Sequence, residues 1–189
     1  MKTGLFFGSF NPVHNGHLIV AEQMLEAAGL DAIWFVLSPQ NPFKQQQHLL
    51  NQHQRLALLQ KAIAGNPRFS VCDAEFHLPV PSYTIDTMRF LEKEYPAHRF
   101  HIIMGSDNLQ GFEKWKEAEI IQKNYPILVY RRGDVDSQWQ HVADIQLFDL
   151  PYIHISATSI REAVAANKSI RYLVPETIEE EVKALYKPL

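Results

Sequence analysis

Residues 8–17 read Gly8-Ser9-Phe10-Asn11-Pro12-Val13-His14-Asn15-Gly16-His17. A short apolar run at 5–7 precedes this stretch, and apolar residues at helical spacing follow it from Leu18 to Ala28. In α/β proteins, a strand that leads through a glycine-containing loop into a helix is a common place to bind phosphate. The stretch therefore predicts an α/β fold, with an anion site where the first helix begins.

The residues of this loop suit a polyphosphate. A helix N-terminus carries unpaired backbone N–H groups and a partial positive charge, and Gly8 and Gly16 let a ligand approach the backbone closely. Pro12 stiffens the loop. His14 and His17, three residues apart, place both imidazoles on one side of the first helical turn, where they can donate hydrogen bonds to phosphate oxygens. Taken alone, the histidine pair could also be half of a metal site or two solvated side chains.

Strand and helix patterns alternate along the rest of the chain. Further strands are predicted at 32–37, 68–73, 100–104, 127–130 and 145–148. Further helices are predicted from Asn51 to Gly65, after the loop at 79–84, and from Pro175 or Thr177 to Tyr186. This alternation predicts a Rossmann-like, doubly wound parallel sheet flanked by helices, with residues 1–189 forming a single domain.

Composition narrows the class of protein. The formal net charge of −3 argues against nucleic acid as the main partner. The single cysteine, Cys72, cannot form an internal disulfide and is expected to be a small buried apolar residue. The first residues contain too short an apolar run for a signal sequence or a membrane span. We therefore expect a soluble, cytoplasmic protein without a membrane partner.

A second anion site is predicted at residues 153–161, which read Ile153-His154-Ile155-Ser156-Ala157-Thr158-Ser159-Ile160-Arg161. Alternating apolar residues give way to hydroxyl side chains and then to a helix that carries Arg161 in its first turn. Hydroxyl groups, free N–H groups and a guanidinium together favour an anion. A hydroxyl cap followed by a solvated arginine is the alternative.

Other candidates lie where predicted strands end. Lys44, in the loop at 38–50, is either a phosphate contact or a solvated lysine. Gly105 and Asp107 follow a buried strand, where they could hold a ribose, and Asp107 could also cap a helix. Trp115 could stack on a flat ring or pack in the core.

The segment at 79–84 precedes a helix whose N–H groups and hydroxyls could receive a carboxylate, although an ordinary cap is the simpler interpretation. Neither a Gly-x-Gly-x-x-Gly fingerprint nor a Walker lysine motif is present, so the sequence offers no support for dinucleotide-dependent hydride transfer or P-loop chemistry. The remaining histidines lack a spacing diagnostic of a metal site, so no metal ligands are predicted from the chain.

The first element resembles the Gly-x-Phe-x-Pro-x-His-x-Gly-His motif of the nucleotidyltransferase superfamily. The second resembles its Ile-Ser-x-Thr-x-Ile-Arg motif. Within that superfamily the chain is most similar to the bacterial nicotinate-nucleotide adenylyltransferases, over nearly its whole length. It departs from their pattern by Ser9 for threonine, by Asn11 for aspartate, and by Asn41 and Phe43 for the first proline and the histidine of a Pro-Pro-His-Lys loop.

The resemblance implies a role for each candidate residue. Catalytic roles are implied for His14, His17, Lys44 and Arg161, with His17 the better candidate for stabilising charge at the α-phosphate. Binding of ATP is implied for Gly8, Ser9, Phe10, His14, Gly16, His17, Gly105, Asp107, Ser156, Thr158 and Arg161. Binding of the acceptor substrate is implied for Lys44, Tyr83, Thr84 and Trp115, with Trp115 stacked on the pyridine ring.

The resemblance also implies an activity. Nicotinate mononucleotide would attack the α-phosphorus of ATP to give nicotinate adenine dinucleotide and pyrophosphate, in NAD biosynthesis, with magnesium bound mainly through the ATP phosphates. A homodimer is possible by the same resemblance. Two alternatives are a phosphopantetheine adenylyltransferase, disfavoured by Trp115 and the loop at 82–84, and a protein that senses ATP without turning it over. Residues do not settle whether a carboxylate or an amide is preferred on the pyridine ring.

Overall fold

The computed structural model of the chain describes residues 1–39, 49–131, 144–151 and 153–187. Within them, six strands form one parallel sheet. The strands are β1 (Lys2–Gly8), β2 (Ala32–Leu37), β3 (Phe69–Cys72), β4 (Arg99–Gly105), β5 (Ile127–Tyr130) and β6 (Ile145–Phe148). Their order across the sheet is β3-β2-β1-β4-β5-β6, which confirms the doubly wound, Rossmann-like architecture.

Helices connect these strands and follow the last one. They are α1 (Asn15–Ala27), α2 (Gln52–Ile63), α3 (Thr84–Glu94), α4 (Ser106–Leu109), α5 (Ala118–Asn124), α6 (Ala157–Ala165) and α7 (Glu179–Tyr186). Short 3₁₀ turns lie at Ala74–His77, Phe112–Lys114 and Glu176–Ile178.

Local sequence signals explain where several helices begin and end. The Asn51 side chain accepts a hydrogen bond from the backbone N–H of His53 and caps α2, as predicted. Gly29 follows the end of α1 with a positive φ of 59°, a conformation that glycine adopts without strain. The last helix is different from its prediction: a 3₁₀ turn follows Pro175, and the regular helix begins only at Glu179 with Ile178 at its cap.

The sheet is covered on both faces, because alternate strand residues point into two separate apolar clusters. Phe6 and Ile103 belong to the cluster packed with α1, α2, α6 and α7. Their chain neighbours Leu5 and Ile102 belong to the other cluster, packed with α3 and α5. Burial on both faces is what the continuous apolar runs predict for a parallel sheet. Cys72 is 7% exposed and lies in the second cluster, as expected of a small apolar residue.

The strand order fixes where ligands can bind. β1 pairs with β2 on one side and with β4 on the other, with Phe6 opposite Ile103, so the carboxyl ends of β1 and β4 lie side by side. This is the topological switch point of the sheet, where the loops that follow neighbouring strands diverge and leave a crevice. Gly8 and Gly105 end these two strands.

Among the described residues, no helix combines the length and the apolar character that crossing a membrane requires.

Candidate active site

The two histidines of the first loop cap α1 reciprocally. The backbone N–H of His17 donates to Nδ1 of His14 (3.3 Å), and the backbone N–H of His14 donates to Nδ1 of His17 (3.2 Å). The rings stack with their centroids 3.6 Å apart. Because each Nδ1 accepts a hydrogen bond, the proton of each neutral ring lies on Nε2. His14 is only 3% exposed whereas His17 is half-buried, so His17 is the more accessible of the two rings.

The two glycines of this loop make room for aromatic rings of the protein itself. A Cβ on Gly8 would lie 2.8 Å from the ring of Phe10, and one on Gly16 would lie 3.0 Å from Nδ1 of His14. Phe10 has a positive φ of 42°, which is uncommon for a residue with a side chain. Its ring is 2% exposed and packs 5.1 Å from the His17 ring, so core packing holds the loop in this conformation.

Asn11 joins the first predicted anion site to the second. Nη1 of Arg161, in the first turn of α6, donates to the backbone carbonyl of Asn11 at 2.7 Å. The amide oxygen of Asn11 accepts from the backbone N–H of Leu50 (3.1 Å) and from the hydroxyl of Tyr186 (2.6 Å). Burial raises the pKa of Tyr186, which keeps its hydroxyl protonated and able to donate. Arg161 therefore contacts the loop that carries the histidine pair.

Hydroxyl groups at the start of α6 have partners within the protein. Ser156 caps the helix by accepting from the backbone N–H of Ser159 at 3.0 Å. Thr158 Oγ1 accepts from Nη2 of Arg161 at 3.2 Å. Both side chains are exposed, and Thr158, as acceptor, helps to hold the guanidinium against the first loop.

Arg55 is a buried residue of this site that the sequence analysis did not single out. It is 1% exposed and donates to four backbone carbonyls. The acceptors are Ser9 (2.6 Å), Ser38 (2.9 Å), Leu50 (2.9 Å) and Pro39 (3.0 Å). No carboxylate forms a salt bridge with it in the described part of the chain. Burial lowers the pKa of its guanidinium.

The buried position of Arg55 had a signal in the sequence. It precedes Leu58 and Leu59 by three and four residues, which places it on the apolar face of α2. A charged residue on that face needs several hydrogen bonds, and loop carbonyls supply them here.

Gly105 is the residue at which β4 passes into α4, and it occupies the N-cap position. Asp107 lies in the first turn instead, so the alternative that Asp107 caps this helix is wrong. A Cβ on Gly105 would collide with the carboxylate of Asp107 and lie 3.2 Å from the ring of Tyr130. The glycine thus allows the Asp107 side chain to fold back over the end of the strand.

A cavity of about 140 Å³ opens where β1 and β4 end, beside the first loop. It brings together several residues that the sequence analysis proposed separately. They are Gly8, Ser9, Tyr83, Thr84, Gly105 and Trp115. Trp115 is half-buried, packs 5.4 Å from Phe112 and forms part of the wall, so it serves both the core and the cavity.

Glu75 is a second buried polar residue that the sequence analysis missed. It lines the cavity, is 3% exposed and sits in the 3₁₀ turn after β3. Its carboxylate accepts from Ser82 Oγ (2.6 Å) and from Thr87 Oγ1 (3.1 Å), and so ties this turn to the start of α3. Nothing in the local sequence distinguishes it from an exposed glutamate.

Two regions therefore meet at the sheet edge. We call residues 8–17 with the start of α6 the phosphate side, and the cavity residues Glu75, 82–84, Trp115 and Lys116 the acceptor side. Lys44 and Phe43 lie outside the described residues, so their predicted roles stay predictions. No group of three or more histidine, cysteine, aspartate or glutamate side chains suited to a metal is found in the ranges that the structure describes.

Comparisons with known proteins agree with this architecture. Residues 5–163 match the family model described as cytidylyltransferase-like. A protein of Cytophaga hutchinsonii named a probable nicotinate-nucleotide adenylyltransferase is 48% identical over 181 residues, covering 95% of this chain and 94% of its own. A protein of the same name from Bacteroides fragilis is 47% identical, covering 96% and 90%.

Solved structures show the same fold. The Plasmodium falciparum nicotinic acid mononucleotide adenylyltransferase complexed with NaAD superimposes with a TM-score of 0.81 at 21% identity, covering 98% of this chain and 97% of its own. The same Plasmodium protein complexed with APC gives a TM-score of 0.80 at 20% identity, covering 98% and 96%.

Proposed function

This chain belongs to the cytidylyltransferase-like family and, within it, to the nicotinate-nucleotide adenylyltransferases, and we propose that it joins ATP to nicotinate mononucleotide. The products are nicotinate adenine dinucleotide and pyrophosphate, which places the reaction in NAD biosynthesis.

One observation supports this function above the others. Arg161 donates to the carbonyl of Asn11, within the loop that carries His14 and His17. Two helix starts from opposite ends of the chain thus face one crevice, beside a cavity with an aromatic wall. A triphosphate on one side and a flat pyridine ring on the other fit such a site.

On the phosphate side, the chain supplies positioning and charge stabilisation. An oxygen of the mononucleotide phosphate forms a bond to the α-phosphorus of ATP as the bond from that phosphorus to the bridging oxygen of pyrophosphate breaks. We propose that Nε2–H of His17 donates a hydrogen bond to an α-phosphate oxygen as negative charge develops there. The stacked ring of His14 holds the His17 ring in position. Arg161 and the N–H groups at the start of α1 bind the phosphates that leave.

The remaining ATP contacts follow from the ends of the strands. Gly8, Ser9, Phe10 and Gly16 shape the loop beneath the triphosphate, and Ser156 and Thr158 present hydroxyls at α6. Gly105 and Asp107 hold the ribose, because the Asp107 carboxylate folds back over the end of β4. From the sequence alone, Lys44 is proposed to help neutralise the negative charge of the phosphates.

On the acceptor side, Trp115 stacks on the pyridine ring. Tyr83 stands at the N-cap of α3 and makes no side-chain capping bond. The backbone around Tyr83 and Thr84 therefore faces the cavity with helix-start N–H groups, which favour a carboxylate.

Magnesium fits this donor set as an ion carried by the nucleotide. The phosphate side is made of N–H, imidazole and guanidinium donors, which bind phosphate oxygens rather than a cation. When bound, magnesium neutralises charge on the phosphates, and the ATP oxygens and water would hold it.

The test is pyrophosphate release by purified protein with ATP and magnesium, using nicotinate mononucleotide, nicotinamide mononucleotide and phosphopantetheine in turn. We expect release with nicotinate mononucleotide. Release with phosphopantetheine alone would assign the chain to the phosphopantetheine adenylyltransferases, and absence of release with every acceptor would make it a sensor of ATP.

Further expectations complete the proposal. We propose one domain spanning residues 1–189, a cytoplasmic location, and no nucleic-acid or membrane partner. A homodimer is proposed from the resemblance, and size-exclusion chromatography with light scattering tests it.

A further inference from the structure

The charged groups that line the cavity are few. Among the described residues that form its wall, Glu75 is the one carboxylate and Lys116 is the one cationic side chain. The hydroxyls of Ser82 and Thr87 already donate to the two carboxylate oxygens of Glu75. Lys116 is therefore the lining charge that is positioned to attract an anion into the cavity.

Lys116 follows Trp115 and reaches across to the start of α3. Its ammonium nitrogen lies 4.9 Å from the centroid of the Tyr83 ring. It also forms an ion pair with Asp86 in the first turn of α3, at 2.8 Å from Oδ2 and 3.2 Å from Oδ1. The lysine side chain is 43% exposed, so a ligand can reach it.

The contact between residues 115–117 and the start of α3, which we call the joint, does not depend on Lys116 alone. Arg89 of α3 donates to both oxygens of Glu117, at 3.0 and 2.6 Å. This bidentate pair lies beside the Lys116–Asp86 pair, and neither of its members lines the cavity. The Arg89–Glu117 pair already connects the two segments, and Lys116 is the residue of the two ion pairs that lines the cavity.

We propose that Lys116 determines acceptor specificity by attracting the carboxylate of the nicotinate ring. This inference rests on the proposed function. Nicotinate mononucleotide carries a carboxylate on the pyridine ring where nicotinamide mononucleotide carries a neutral amide. A full positive charge in the cavity wall discriminates between these groups more strongly than backbone N–H groups alone.

Asp86 opposes this selection. It shares the ammonium of Lys116, and its own carboxylate repels an incoming carboxylate at the same helix start. Removing the Asp86 charge should therefore strengthen the preference, whereas removing the Lys116 charge should weaken it. If the ion pair were only structural, removing either partner would break it and change the ratio in the same direction. Opposite changes in the two variants therefore indicate that each charge acts on the acceptor.

The experiment measures kcat/KM for nicotinate mononucleotide and for nicotinamide mononucleotide at saturating ATP and magnesium, and compares their ratio between variants. Lys116→Gln should lower the ratio of nicotinate to nicotinamide activity about tenfold. Lys116→Arg keeps the charge and should keep most of the ratio. Asp86→Asn should raise the ratio.

Two matched variants serve as controls. Lys114→Gln removes an exposed lysine two residues away that does not line the cavity, and it should leave the ratio unchanged. Arg89→Gln loosens the same joint without touching the cavity, and it should change both activities by the same factor.

The outcomes separate the two proposals. An unchanged ratio in Lys116→Gln, with the wild-type protein active on nicotinate mononucleotide, overturns the role of Lys116 and leaves the function intact. A ratio that falls equally in Asp86→Asn and Lys116→Gln also overturns it, because it assigns the effect to the joint. A wild-type protein that forms neither dinucleotide overturns the proposed function and this inference together.

Discussion

The phosphate side and the acceptor side of the crevice are built in different ways. On the phosphate side, ten consecutive residues supply a loop, a helix start and two stacked imidazoles, and the donors are backbone groups and rings held by core packing. On the acceptor side, the cavity wall comes from separate segments, joined by side-chain contacts such as those of Glu75 and Lys116.

The two sides differ in the number of chain segments that supply their binding groups. The phosphate-binding donors lie mostly in one short run of backbone, whose conformation is then held by hydrogen bonds from Arg55, Arg161 and Tyr186. The acceptor pocket depends on how distant segments pack, so small shifts between α3 and residues 112–118 alter it. We expect substitutions on the phosphate side to reduce turnover and those on the acceptor side to change which acceptor is used.

The largest effect is expected from His17→Ala, which should lower kcat about 10²–10³-fold, as removal of one donor to developing charge does. His14→Ala should lower kcat less and should also cost about 1 kcal/mol of stability, because His14 caps α1. Steady-state kinetics and urea unfolding of both variants measure this, with the exposed His77→Ala as the control. Equal losses of kcat in both variants would contradict the division of roles between the two rings.

Arg55→Met should have the next largest effect, on stability and on ATP binding together. It leaves four backbone carbonyls without their donor, and we expect the free energy of unfolding to fall by about 3 kcal/mol. Arg55→Lys retains the charge without the forked guanidinium and should recover only part of this loss. Urea unfolding and the KM for ATP test both variants. A stability unchanged in Arg55→Met would show that water replaces the guanidinium at these carbonyls.

A smaller effect is expected from Glu75→Gln on the acceptor side. The two hydroxyls donate to different oxygens of Glu75, and glutamine replaces one of those acceptors by an NH₂ group, so the 82–84 segment should lose its fixed position. We expect the KM for nicotinate mononucleotide to rise about tenfold with little change for ATP. Glu92→Gln, which removes an exposed carboxylate bonded to Tyr125, is the control. An equal rise in the KM for ATP would place Glu75 outside the acceptor side.

No effect on activity, and an effect on stability only at high pH, is expected at Cys72, the last residue of β3. Burial raises the pKa of its thiol from an ordinary 9.0 to about 11. The folded state therefore keeps a proton that the unfolded chain loses above about pH 9, so the stability from this group is present below pH 9 and is lost between about 9 and 11.

Over that interval the free energy of unfolding should fall by about 2–3 kcal/mol more in the wild-type protein than in Cys72→Ala, with no difference in activity at pH 8. Urea unfolding at pH 8 and pH 11 measures the contrast. Parallel declines in the two proteins would show that Cys72 does not contribute to it.

The sheet and the phosphate side could be predicted in large part from the sequence. Continuous apolar runs such as 32–37 and 127–130 define buried strands to the residue, because their burial on both faces leaves little ambiguity. The loop at 8–17 is recognisable because its residues are consecutive. The start of the last helix was wrong, since Pro175 is followed by a 3₁₀ turn rather than by regular helix.

The buried supports of the site were not predicted. Arg55 and Glu75, like the exposed Lys116, bond to residues of other segments, and nothing in a linear pattern pairs Arg55 with Ser9 or Glu75 with Ser82. The glycines were interpreted as space for a ligand, whereas the rings of Phe10 and His14 occupy that space. Such packing depends on tertiary structure, which the spacing of residues does not encode.

The hydrogen bond from Tyr186 to Asn11 spans 175 positions of the chain. During synthesis on the ribosome, the loop and its histidines emerge long before the α7 hydroxyl that donates to Asn11. A nascent or truncated chain that lacks α7 would carry the complete loop motif and still leave the Asn11 amide oxygen short of one of its donors. Nucleotide binding by this protein should therefore begin only after α7 has been made.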